Sequence, residues 1–344
     1  PRISMLSKEA SGSISLKGAA IDDLTFKDYN VSLESDEKVY LLGPRNIEDG
    51  YLIESGFVTN DKNIDIPNSD TIWSVNGNDI LTEQSSVKLS WSNDQGITFE
   101  KEIVLDDKFL FTITQRVVNS TNKKYDFYSY GQIIRNKIPE GLSNFYILHE
   151  GPIATLDDEL IEEDYDDIQD QKFSRVAKKG WLGIGDKYFV ASLIPPKNKE
   201  FKTTFDYKDK FRANFISTEP KKLDANSSIE ESLKVIVAAK RVDVIDGYAD
   251  SLKIDKFDLV IDWGFLYFIT KPLFFGIDYF FKLLGNYGLA IIAITICIRL
   301  TFFPLANFSF RSMAKMKALQ PEMVRLKELH KNDKMKLQQE MMAL

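Results

Sequence analysis

Apolar and polar residues alternate with a period of two over most of the first 240 positions. Ile14 and Leu16 alternate with Ser13, Ser15 and Lys17. Val87, Leu89 and Trp91 alternate with Lys88 and Ser90, and Asn93-Asp94-Gln95-Gly96 then reads as a turn. Ile97 and Phe99 resume the alternation, and Phe109, Phe111 and Ile113 repeat it. Alternation bounded by Asn, Asp and Gly is the pattern of a half-buried antiparallel strand. Many such strands predict a large β-sandwich rather than a parallel α/β sheet. Near Arg241 the period changes. Val242, Ile245, Tyr248 and Ala249 share a helical face, which predicts a short helix near 241–250 that closes the sandwich.

The next pattern is aromatic. Residues 263–287 hold ten aromatics, while Lys271, Asp278 and Lys282 fall on one helical stripe. A narrow charged stripe with Trp, Tyr and Phe elsewhere suits a helix lying in a membrane interface, and Pro272 is expected to start or kink it. Trp263, Lys271 and Lys282 are its candidate anchors. From Leu283 to Phe310 the one charged residue is Arg299, and Gly288–Ala306 contains ten Leu, Ile or Phe. Nineteen helical residues cover about 28 Å, close to the ~30 Å hydrocarbon layer. The ten apolar residues favour insertion by roughly 3–6 kcal/mol, and a central Arg opposes it by about 2.5–3.5 kcal/mol. The segment therefore predicts a transmembrane helix despite its charge.

Arg299 is the candidate functional residue of that span. A guanidinium stays protonated in the bilayer, so it needs water, a partner or an acidic group. Thr295, four residues earlier, shares its face. Pro304 leaves the Leu300 carbonyl without its usual donor. Beyond the span, Met313, Met316, Met323, Leu326 and Leu329 recur at helical spacing among Lys315, Arg325 and other bases. Soft Met side chains suit an adaptable contact surface, although a coiled-coil seam with solvated bases gives the same pattern. Lys331-Asn332-Asp333 reads as a turn and Lys336 as the start of a second helix.

Charge fixes the orientation. Residues 307–344 carry eight Lys/Arg against four acids, whereas the other 306 residues carry 36 bases and 47 acids. The basic side is expected in the cytoplasm and the acidic β domain in the periplasm. This split argues against nucleic-acid binding by the whole chain. Cys297 is the one cysteine, so there is no disulfide framework. His149 and His330 are the two histidines, which leaves little for a His-based metal site or triad. The nine acids within 157–170 lack EF-hand spacing and read as a solvated acidic loop. Gly183-Ile184-Gly185 reads as a tight turn between strands, not a dinucleotide loop. No catalytic residue, cofactor or metal is assigned.

Several motifs occur in a family-specific order. They are Asp262-Trp263-Gly264, Pro272-Leu273-Phe274, Gly285-Asn286-Tyr287-Gly288, Ile298-Arg299, Pro304-Leu305, Ser312-Met313-Ala314-Lys315-Met316, Leu319-Gln320-Pro321 and Gln339-Glu340-Met341-Met342-Ala343-Leu344. Together they resemble the YidC branch of the YidC/Oxa/Alb insertases over about 80 residues. Gly12-Ser13-Ile14-Ser15-Leu16 and Gly180-Trp181 more loosely resemble the family's large periplasmic domain. The resemblance implies a mutarotase-like β-sandwich and a hydrophilic intramembrane groove enclosed by five core helices. Arg299 matches the family's groove arginine and Thr295 a groove-lining neighbour. Met313, Lys315, Met316, Met323 and Arg325 fall in its substrate-recruiting hairpin. Implied partners are nascent membrane proteins, the Sec translocon with its accessory subunits, the ribosome through other segments, and lipid. Against that pattern the chain reads as a fragment lacking the first and last four transmembrane helices.

The expected layout is a periplasmic sandwich over 1–255, an interfacial helix over 256–285, a transmembrane helix over 286–308 and a truncated cytoplasmic hairpin over 309–344. A sugar-binding or sugar-active ectodomain on a single-span anchor is the alternative, and a single-span signalling receptor is a third. Neither accounts for an arginine in mid-span.

Overall fold

The computed structural model describes residues 1–142 and 148–329, with Met335, Gln338 and Met342 beyond them. The turn expected at Lys331-Asn332-Asp333, the helix expected from Lys336, His330 and most of the Gln339–Leu344 motif lie outside the described residues. The chain divides into two units, Pro1–Asp262 and Trp263–Leu344.

The first unit is built from two sheets. One has eleven strands and runs from Phe173–Ala177 through Phe201–Tyr207, Phe211–Ser217, Tyr125–Arg135, Tyr51–Val58, Ala20–Asn30, Ala10–Ser15 and Arg2–Leu6 to Ile80–Thr82. Lys221–Leu223 and Lys38–Leu42 pair alongside this path. The other has nine strands, from Glu159–Glu162 through Gly151–Leu156, Gly180–Gly185, Phe189–Ile194, Ser228–Ala239, Leu110–Asn119, Ile97–Leu105 and Val87–Ser92 to Ser74–Asn76. Pairing is antiparallel apart from the edge strand Ile80–Thr82, which runs parallel to Arg2–Leu6. The sandwich expected from the sequence is therefore the observed architecture.

Local chemistry explains the hairpins. Asn93 Oδ1 accepts from the backbone N–H groups of Gln95 and Ile97, and Gly96 takes φ 82° to close the turn. Asp106 Oδ1 accepts from Lys108 N and Leu110 N, which turns the chain into the next strand. Alternation then sends Ile97, Phe99, Ile103 and Leu105 inward, opposite Phe111, Ile113 and Val117. The sheets meet through edge-to-face rings, Phe99 on Phe127 at 5.8 Å and Phe26 on Phe109 at 5.6 Å.

Gly180–Gly185 and Phe189–Ile194 are buried at every position after the first, so both faces of these strands are covered. The extra cover comes from the end of the unit. The helix Val242–Leu252 and the 3-10 turn Phe257–Val260 bury Val244, Ile245, Tyr248, Phe257 and Val260. Phe257 meets Trp181 at 5.3 Å, and the Tyr248 hydroxyl donates to Asp106 Oδ2 at 2.8 Å while accepting from Phe109 N.

Two sequence expectations change here. Gly183-Ile184-Gly185 is not a turn but the second half of an inner strand. A Cβ on Gly183 would lie 2.4 Å from the Ala191 carbonyl, so glycine lets the neighbouring strand approach. The acidic stretch is not a plain solvated loop either. Asp157 and Asp158 form a left-handed turn, Glu159–Glu162 is a strand, and α1 (Tyr165–Asp170) buries Tyr165 and Ile168. Two buried side chains, Tyr165 and Ile168, override the local charge. With α1 so defined, Val242–Leu252 is α2.

The second unit contains α3 (Tyr267–Leu284) and α4 (Tyr287–Leu329). Pro272 is the sixth residue of α3, so it does not start the helix. The start is held instead by Thr270, whose hydroxyl donates to the Trp263 carbonyl at 2.7 Å. Gly285 ends α3 with φ 68° and donates from its N–H to the Phe281 carbonyl. Asn286 Oδ1 accepts from Leu289 N at the start of α4. The two helices fold back on one another. A Cβ on Gly276 would lie 2.9 Å from Ile294 Cδ1, Ala290 is fully buried, and Phe281 stacks on Tyr287 at 4.0 Å.

Candidate membrane-embedded site

α4 has 43 residues and runs unbroken through position 308. At 1.5 Å per residue it is about 64 Å long, roughly twice the hydrocarbon layer. It is long and apolar enough to cross a membrane. Its basic second half extends past any single span.

Arg299 lies about 18 Å along the axis from Tyr287, a helical rise of twelve residues. It is exposed and makes no ion pair among the described residues. Thr295, one turn earlier, donates its hydroxyl to the Ile291 carbonyl at 2.7 Å. Thr301 donates in the same way to the Cys297 carbonyl at 2.9 Å. Both hydroxyls thus spend their protons on the helix and keep oxygen lone pairs for another group. Pro304 lies inside α4 and supplies no N–H to Leu300. A cation, two hydroxyl oxygens and a carbonyl lacking its helical donor therefore occur within ten residues of an otherwise apolar helix.

Further along, Met316 and Met323 are separated by nearly two whole turns and share a face, with Met313 about 60° away. Lys315 lies about 100° from Met316 and flanks the Met face, while Arg325, about 180° away, lies on the opposite side of the helix. Met313 and Met316 are exposed. At the start of the unit, Lys271 Nζ sits 5.6 Å from the ring centres of both Trp263 and Tyr267. Lys282 pairs with Asp278 at 2.6 Å. α3 buries no residue, and Phe265, Phe268 and Tyr279 are all exposed.

In the first unit the acidic side chains are used structurally. Asp158 pairs with Lys179 at 2.8 Å and Glu159 with Arg175 at 2.7 Å. His149 Nε2 lies 3.1 Å from the Pro152 carbonyl, and its backbone N–H donates to Asp262. Sequence patterns missed the buried charges. Arg135 pairs with Asp186 at 2.5 Å and lies over the Tyr51 ring at 4.6 Å. Lys101 is wholly enclosed, and burial brings its amine down to about 8, opposed by Glu54. Burial, with Glu54, raises the Tyr130 hydroxyl to about 12. A signal for Lys101 existed, since it occupies the inward phase of an otherwise apolar strand.

Residues 2–275 match the family model described as YidC periplasmic domain, and residues 279–344 match the 60Kd inner membrane protein model. The chain belongs to the YidC family. Members of this family are inner membrane proteins with a periplasmic domain. The membrane protein insertase YidC of Pelagibacter ubique is 70% identical over 343 residues, covering 100% of this chain and 61% of that protein. That of Rickettsia bellii is 41% identical, covering 100% of this chain and 62% of that protein. The chain thus spans about three fifths of the length of these relatives. A galactose mutarotase-like protein from Lactobacillus casei superposes with TM-score 0.49 at 10% identity, over 69% of this chain and 100% of that one. A galactose mutarotase related enzyme from Lactobacillus acidophilus gives 0.48 at 12% identity, over 69% and 97%.

Proposed function

We propose that this chain is the periplasmic domain and first groove-forming helix of a membrane protein insertase. The observation that carries this reading is Arg299, a permanent charge midway along an apolar helix, one turn from Thr295. In hydrocarbon such a group is costly unless a wet cavity surrounds it. Further transmembrane helices of the longer, multi-pass protein would complete that cavity as a hydrophilic groove. The groove takes up the polar translocated segment of a nascent membrane protein and shortens its path through hydrocarbon. The guanidinium favours acidic segments. The inserted helix then leaves into lipid, and no bond is made or broken.

The basic end of α4 faces the cytoplasm and the acidic sandwich the periplasm. Met313, Lys315, Met316, Met323 and Arg325 belong to a cytoplasmic surface that recruits the client. Trp263, Lys271 and Lys282 hold α3 at the periplasmic interface. Work beside the Sec translocon and its accessory subunits, and with a translating ribosome, follows from the same role.

The test is rescue of insertase-depleted cells with the full-length protein carrying Arg299→Ala. Insertion of a client with an acidic translocated tail is expected to fall about tenfold or more, the worth of a charge-assisted contact. A client with a neutral tail is expected to lose less. Equal insertion of both clients by wild type and variant would remove the basis for a groove charge.

A further inference from the structure

Inside the sandwich, the inward phase of strands Ile97–Leu105 and Leu110–Asn119 is apolar except at Asn119, which ends its strand hydrogen-bonded to the Lys123 and Asp224 carbonyls, and at one inner rung. There Lys101 and Gln115 face each other across the ladder. They are 4% and 1% exposed. Lys101 Nζ donates to the Ser55 carbonyl of the opposite sheet at 2.5 Å and lies 5.1 Å from the centre of the Trp73 ring. It has no carboxylate partner among the described residues. Glu54, the acid whose field reaches it, has one oxygen held by Arg45 and the other by Gln132 at 2.8 Å. Both amide atoms of Gln115 and the indole N–H of Trp73 are buried without a hydrogen-bond partner.

Lys101, Gln115 and Trp73 line one cavity of about 20 Å3. One water needs about 10–15 Å3 of such space, so the cavity holds an occupant of that size and no sugar or sulfate. An uncompensated buried ammonium is costly, and a ring face and one carbonyl offset only part of the cost. Three kinds of N–H donor and a positive charge border this space. Glu54 and Glu100 also line it, but each carboxylate has an arginine beside it, Arg45 and Arg116 respectively. A neutral water would satisfy the donors and add no counter-charge for the amine.

We propose that this cavity binds one monoatomic anion of chloride's size, held by Lys101, the Gln115 amide and the Trp73 indole N–H. Bound there, the anion ties the nine-stranded sheet to Trp73 and, through Lys101, to the Ser55 strand. Folding of the sandwich is therefore linked to halide concentration.

The test uses the whole chain in detergent, with chloride replacing gluconate at constant ionic strength. The expected result is a saturable rise in thermal midpoint that bromide reproduces and sulfate does not. Crystals soaked in bromide are expected to show an anomalous peak at the Lys101–Gln115 rung. Lys101→Met is expected to weaken halide affinity about tenfold or more, and Trp73→Phe, which keeps an aromatic ring but loses the indole N–H, about fivefold. Trp73→Phe carries the test if Lys101→Met fails to fold. A midpoint that moves equally with chloride, gluconate and sulfate overturns the proposal and assigns the cavity to water. So does an identical chloride response in wild type and Trp73→Phe.

Discussion

In the β unit, Trp181 and Phe257 are wholly buried and Phe111 is 1% exposed. On α4, Leu300, Phe303 and Phe310 are 64–67% exposed. All six are large apolar residues, and what differs is who supplies their apolar surroundings. The sandwich supplies its own, by closing two alternating sheets on one another. α4 meets few side chains of its own chain, so it needs a bilayer or other helices. Charge follows the opposite rule. Arg135 inside the sandwich has Asp186 beside it, whereas Arg299 on the apolar helix has no ion pair among the described residues. A buried charge with its partner reads as architecture; a charge left open on an apolar span reads as a working group.

The sharpest way to break this contrast is to delete one ring from each region. Phe257→Ala removes a fully buried ring that covers Trp181, and it is expected to cost about 3–5 kcal/mol in chemical unfolding. Phe303→Ala, on the exposed face of α4, is expected to change that transition by about 0.5 kcal/mol or less. Equal losses would mean that α4 also packs within its own chain.

This contrast also explains what was legible in sequence. The sandwich was visible because inward and outward positions alternate along its strands. The apolar span was visible because charges vanish over it. Gly183 misled because its role is close approach by the Ala191 carbonyl of the next strand, a contact that glycine spacing alone does not reveal. α1 was hidden because its two buried side chains outweigh its four polar ones only once a core exists to receive them. Arg299 could be found from its surroundings in the sequence. Lys101 stands in the inward phase of its strand, so its position was readable, but its rung with Gln115 was not, because that depends on register.

Lys101 offers the next test, since it is the exception to the β unit's habit of pairing charge. The experiment is done without halide. Below about pH 8 the amine is charged in both folded and unfolded chains, and the burial cost is present in full. Between about 8 and the ordinary 10.5 the folded form is neutral while the unfolded form holds its proton. The unfolded chain then binds more protons, so stability rises with pH across that window. The gain is about 3 kcal/mol relative to Lys101→Met, read as the difference between their unfolding free energies at pH 7 and pH 10.5. Glu54, Glu100, Arg116 and Tyr130 line the same cavity and remain in both proteins, so the difference isolates the amine. A flat difference would mean that the amine is compensated at neutral pH.

The smallest effect belongs to the link between α3 and α4. Gly285 takes φ 68°, and a Cβ there would meet nothing within 4 Å. Gly285→Ala therefore costs only the left-handed backbone, about 1 kcal/mol. Glycine at 183 has the reverse problem, a crowded site, 2.4 Å from a backbone oxygen that cannot step aside. Gly183→Ala is expected to lower the sandwich's unfolding free energy by more than Gly285→Ala affects the helical unit. The readout is urea unfolding for the first and helical content by circular dichroism in detergent for the second. If Gly285→Ala proved the more damaging, the helix pair would depend on its turn geometry more than on the Gly276–Ile294 and Phe281–Tyr287 contacts. The helical unit would then hold its shape through its own chain, which is the property so far seen only in the sandwich.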